Sequence, residues 1–232
     1  MKKRSIFMIV GGIIVIAAIA ISLIFVFSGN DSNGGDITDP PAQELTLKGT
    51  WCMVANFVKD VPTPVENQYI IFSDTEVSMY KDATGEAYAK SAYTLNEANQ
   101  LKLNDISKEY KLVKKSDNCI RLYDGTDAYM LLIRNSSDNR ETVSVTSENI
   151  AGKWNVAMKG DELNNGDVLE FAGTSLKYYK GGSTTPAATV DFTLENNILN
   201  ASAMGLKMRC FKISDSTLIF VQDTGTVWEL TK

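Results

Sequence analysis

Histidine is absent from all 232 residues, which removes the commonest general base near neutral pH and the commonest transition-metal ligand. Ser-His-Asp, Cys-His and zinc-hydrolase mechanisms are thereby excluded. Cysteine is scarce: Cys52, Cys119 and Cys210 stand apart, with no C-x-x-C pair. An odd number leaves at least one thiol unpaired. The three read as small apolar strand residues; a Cys52–Cys119 disulfide forms only if the fold brings that pair together in an oxidising compartment.

Other chemistry is missing as well. A glycosidase needs two carboxylates facing across a cleft, and no spacing singles out a pair among Glu66, Glu76, Glu86, Asp167 and Glu170. The Asp and Asn residues near position 30 lack the twelve-residue spacing of a calcium loop. Gly181-Gly182 reads as a hairpin turn rather than a phosphate loop, because no helix follows to bind an anion at its N-terminus. The sequons at Asn135 and Asn200 matter only in a eukaryotic secretory pathway. No catalytic residue, metal site or cofactor is assigned, and the chain reads as a non-enzyme. Positive charge is also short. Setting aside Lys2, Lys3 and Arg4 leaves 20 basic residues against 28 acidic ones, a net charge of −8, which repels nucleic acid and anionic polymers.

What the sequence has in quantity is apolar residues at its start. Residues 6–27 (IFMIVGGIIVIAAIAISLIFVF) contain no charge, amide or proline. As a helix they span about 33 Å, against a hydrocarbon core of about 30 Å. A cleavable signal peptide has a shorter apolar region and a small-x-small cleavage site, whereas this run ends in Leu23, Ile24, Phe25, Val26 and Phe27. Basic residues precede the span, and Asp31, Asp36 and Asp39 follow it, so the N-terminus is expected in the cytoplasm and the remainder outside the cell membrane. The expected organisation is a cytoplasmic segment 1–5, a transmembrane helix 6–27 and a flexible linker 28–43, whose Gly34, Gly35, Pro40 and Pro41 suit a spacer.

Beyond the linker the chain begins the same way twice. Gly49-Thr50-Trp51 recurs as Gly152-Lys153-Trp154, and further matches follow at a spacing of about 99 residues: Phe72 with Phe171, Tyr80 with Tyr179, Tyr93 with Phe192, and Leu131 with Leu230. Two domains are expected, 44–134 and 148–232, with a polar junction at 135–147. Short runs rich in Val, Ile, Tyr and Phe, separated by Asp, Asn, Gly and Ser, predict eight strands in each. They fall near 51–58, 69–73, 76–80, 87–95, 100–104, 108–114, 119–123 and 128–134, then near 153–158, 167–171, 175–179, 188–194, 198–203, 206–213, 217–221 and 226–230. Sequential hairpins hide their edges by closing into an up-and-down barrel; a two-sheet sandwich is the rival arrangement. Helix is expected only in the anchor.

The fold class is therefore all-β, two consecutive eight-stranded antiparallel barrels behind one transmembrane helix. On Gly49, Trp51, Gly152 and Trp154 the pattern resembles the lipocalin-like superfamily, specifically the compact bacterial domains that open with G-x-W on the first strand. The resemblance implies that each tryptophan closes the bottom of its barrel beneath a basic residue from a late strand, Arg134 and Lys232 by position. The chain departs from full-length lipocalins in lacking their extra length, C-terminal helix and disulfide. Two functions follow: binding of a small hydrophobic ligand or a surface partner, or a structural ectodomain making protein contacts in the cell envelope. Bulky inward candidates such as Phe72, Leu112, Phe171 and Phe211 favour filled interiors with little or no cavity.

Overall fold

The computed structural model describes residues 46–137 and 140–232. The expected transmembrane helix at 6–27, with its cytoplasmic flank and linker, lies outside the described residues. Among those described, no helix is long and apolar enough to cross a membrane.

The first sheet runs β1 (Gly49–Val58), β2 (Val61–Phe72), β3 (Glu76–Tyr80), β4 (Ala89–Leu95), β5 (Gln100–Leu103), β6 (Lys108–Ser116), β7 (Cys119–Asp124) and β8 (Ala128–Arg134). Each strand pairs antiparallel with the next, and β8 returns to β1 to close the barrel. Strand β2 is longer than its sequence predicts, because Pro62 and Pro64 lie inside it. Residues 61–64 and 68 pair with β1 alone, while β3 covers only Tyr69–Phe72. A strand open on one side tolerates prolines that a central strand excludes.

The second sheet comprises β9 (Gly152–Lys159), β10 (Glu162–Leu163), β11 (Val168–Ala172), β12 (Ser175–Tyr179), β13 (Ala188–Asp191), β14 (Thr193–Glu195), β15 (Ile198–Ala201), β16 (Leu206–Ser214), β17 (Thr217–Gln222) and β18 (Val227–Thr231). Its path is β13-β12-β11-β9-β18-β17-β16-β15-β14, with β10 paired to β9. The expected eight strands become ten pieces because two strands are interrupted. β10 and β11 together occupy the place of β2, and β13 and β14 together that of β4. The break in the latter falls at Phe192, where the first sheet has Tyr93 within continuous β4. Both aromatic residues donate their backbone N–H to the turn before the preceding strand, Tyr93 to Thr75 O at 3.0 Å and Phe192 to Thr174 O at 2.8 Å. Both rings meet a phenylalanine edge-on, Phe72 at 5.4 Å and Phe171 at 5.5 Å between centroids. The sheet is thus barrel-like, with its two end strands formed by successive pieces of one segment.

The irregularities recur as well. β1 carries a bulge between Met53 and Ala55, and β9 shifts register against β18 near Ala157. β6 and β16 bulge just before their hairpins, and a 3-10 turn precedes each, at Asn104–Ile106 and Ser202–Met204. The expectation of helix only in the anchor is corrected by one short element, α1 (Ser147–Ile150). It is started by a capping box in which Thr146 and Asn149 satisfy each other's backbone N–H.

Each interior is filled by its own side chains. Trp51, Met53, Ile70, Phe72, Leu101 and Leu122 belong to the first core, and Trp154, Leu169, Phe171, Phe220, Trp228 and Leu230 to the second. A third buried cluster lies outside both interiors, between the sheets. It joins Cys52, Val54, Ala55 and Phe57 of β1, Cys119 of β7, and Leu131 and Ile133 of β8 to Met158, Ile219, Val221, Val227 and Phe211, the last of which is expected inside its barrel but faces outward into this cluster. The described residues accordingly form one compact unit.

Candidate functional site

The four G-x-W residues sit at equivalent barrel ends. Gly49 and Gly152 have φ of 124° and 102°, a region L side chains rarely adopt, which is why glycine opens each first strand. Two residues on, Trp51 and Trp154 point inward and are 0% and 1% exposed. Each indole N–H needs an acceptor once it is buried. Each finds the carbonyl four residues back, Leu47 O and Ile150 O, both at 2.7 Å. Arg134 lies over the Trp51 ring at 4.3 Å and Lys232 over Trp154 at 4.5 Å. Arg134 also donates to the carbonyls of Thr46, Lys48 and Asp117 at 2.9–3.1 Å, tying the entering chain to the barrel end. These ends are closed by packing and present no opening chemistry.

A second polar group surrounds Asp167, which is only 4% exposed. Its carboxylate accepts from the Tyr178 hydroxyl, the Gly181 N–H at 2.9 Å and the Asn165 amide at 3.2 Å. Burial opposes its ionisation, but those donors and the Lys159 ammonium outweigh it and hold the carboxyl below its ordinary range. Lys159 covers Trp228 at 4.6 Å. Gly181-Gly182 therefore belongs to a turn fastened by Asp167, as the hairpin reading expects. Tyr178 packs near Trp228 and Tyr179 donates to Glu170 at 2.6 Å. Tyr88 packs against the first core.

The three thiols are free and buried. Cys52 and Cys119 both pair in register with Ile133, one from each side of β8. Two strand spacings, about 9.6 Å, separate them, which exceeds the reach of a disulfide. Burial pushes all three thiols up to about 12.

A cleft of about 340 Å³ lies where the sheets meet. One wall is the β2 bulge with Glu66, Asn67 and Gln68, where Asn67 holds a left-handed φ of 55°. The other is the β14–β15 turn, where Asn196 and Asn197 are likewise left-handed. Arg209 from β16 lies between them and crosses to the first sheet, donating to Val65 O at 2.7 Å and Val54 O at 2.9 Å. Val54 is the extra residue of the β1 bulge, so its carbonyl lacks the regular ladder and takes a guanidinium instead. Burial lowers the Arg209 pKa, opposed by the nearby Glu66 charge.

The junction closes the rim. Thr142 shares a hydrogen bond with Tyr69 at 3.3 Å, and Asn197 bonds Val143 O and Val145 N. Arg140 stacks on Tyr80 at 3.9 Å and donates to Asp82 O and Gly85 O. The polar junction is thus fastened to both sheets. Sequence reasoning did not single out Arg209 or the amides; Arg209 aligns with Lys111 in the first copy, an unremarkable polar strand position.

No protein-family model matches the chain, and no curated protein matches it in sequence. Among solved structures, it is similar to the crystal structure of a protein of unknown function from the DUF3598 family of Nostoc punctiforme. The identity is 10% and the TM-score 0.28, with 80% of this chain and 94% of that chain covered. A likeness this distant carries no statement about function.

Proposed function

We propose that the chain is a membrane-anchored, extracytoplasmic, non-catalytic interaction protein. It displays two tandem lipocalin-like barrels as one rigid body, making contacts with a partner in the cell envelope. The observation that carries this reading is the packing. Both interiors are occupied by the chain's own side chains, and a third apolar core lies between the sheets. A small hydrophobic ligand inside either barrel is therefore disfavoured, since an eight-stranded barrel has room for side chains or for one small ligand, not both. The anchor reading rests on residues 6–27 and on the charges flanking them.

Two measurements test it. Protease added to intact cells should degrade the folded portion while leaving the anchor with the membrane; complete protection would place that portion on the other side. Native mass spectrometry of the full chain, released from detergent, should show the bare polypeptide mass. A stoichiometric apolar adduct that persists would overturn the filled-barrel reading.

A further inference from the structure

We propose that the cleft between the sheets binds a small zwitterion, a free amino acid or dipeptide, whose carboxylate meets Arg209 and whose ammonium meets Glu66. The proposal goes beyond the function above, which assigns no ligand, and its failure would leave the filled-barrel reading standing.

The argument begins with unspent charge. Of the five N–H donors of a guanidinium, two bonds to backbone carbonyls fix Arg209 in place. Among the described residues it makes no ion pair, although it is substantially withdrawn from solvent. A guanidinium so placed is normally matched by a carboxylate or phosphate. Glu66 lines the same cleft, its charge opposes the effect of burial on Arg209, and it makes no ion pair among the described residues. One cation and one anion thus border a single cavity, near enough for the Glu66 charge to act on Arg209 yet not joined in an ion pair among the described residues. A dipolar ligand complements both, whereas a simple anion would be repelled by Glu66.

Size and wall chemistry agree. A volume of about 340 Å³ lies at the small end of ligand pockets, about 300–1,000 Å³. The side-chain amides of Asn67, Gln68 and Asn196 make no hydrogen bond among the described residues. Each offers both donor and acceptor, as a peptide or amide group requires. Structural stapling by Arg209 accounts for two of its N–H donors and leaves the others for the cleft that it lines.

Isothermal titration of the full chain in detergent with L-glutamine and with alanylglutamine tests the proposal. Saturable binding of at least one is expected, weakened about tenfold or more when the probe is N-acetylated. Glu66→Gln, at an exposed position, should leave the melting temperature unchanged and remove the preference for the free amine. Arg209→Lys should weaken binding at least tenfold. Absence of saturable binding by both probes overturns the proposal, as does equal affinity for the acetylated and free forms in the unaltered protein.

Discussion

Arg134 and Lys232 occupy equivalent places over Trp51 and Trp154, yet they hold their barrel ends by different means. Arg134 spends its fork on three carbonyls as well as on the ring, whereas Lys232 offers a point charge over an indole. Arg134→Ala should cost about 2–3 kcal/mol, and Lys232→Ala less than about 1 kcal/mol, by chemical denaturation. Comparable losses would mean that the ring contact alone matters. The buried thiols supply a pH dependence. They hold their protons up to about 12 in the folded chain, against the ordinary 9.0. Their contribution is complete below pH 9 and is lost as pH rises from there through about 12. Native protein should also resist a thiol-specific reagent until denaturant is added; rapid labelling at pH 8 would contradict their burial.

At the scale of elements, strands facing solvent differ visibly from strands between the sheets. β5 alternates exposed and buried along Gln100–Leu103, as a one-sided strand should. β1 is buried almost continuously from Thr50 to Phe57, and β17 from Leu218 to Val221. The apolar runs WCMVA and LIFV were legible in the sequence as strands. Their double-sided burial was equally present there, because a strand with one wet face does not need Cys52, Val54 and Met53 together. The break at Phe192 was not legible, since residues 188–194 read as one continuous strand like β4 of the first copy. Gly225 gives the sharpest test of the contact between sheets. A Cβ at that position would lie 1.9 Å from the Phe57 ring, and its φ of 79° is itself unfavourable to side chains. Gly225→Ala should therefore destabilise by about 1–3 kcal/mol, with partial recovery in a Phe57→Leu background. No recovery would assign the cost to the backbone alone.

At the scale of the whole molecule, the apolar core between the sheets couples them. Polar contacts surround it: Asp161 accepts from Lys115 at 2.7 Å and Arg121 at 3.2 Å, and Asn118 donates to Glu229 at 3.0 Å. Thermal unfolding followed by tryptophan fluorescence and by circular dichroism should give one coincident transition; two resolved transitions would mean that the sheets are energetically separate. A fragment of residues 148–232 would expose Met158, Phe211, Ile219, Val221 and Val227 together. It is expected to self-associate or aggregate, as large apolar patches do, and a soluble, well-dispersed monomer would count against the interface.

Periodicity, turn residues and the repeated G-x-W determined by themselves that the chain is all-β, where most strands lie, and which tryptophans are equivalent, because those properties are written in neighbours along the chain. Which faces of β1, β8 and β17 meet was decided only in three dimensions, as was the pairing of both Cys52 and Cys119 to Ile133. So was the passage of Arg209 to a carbonyl 155 positions away. The physical reason is that a bulge leaves an acceptor wanting and a strand leaves a face wanting, but neither names its partner until the chain has closed around it.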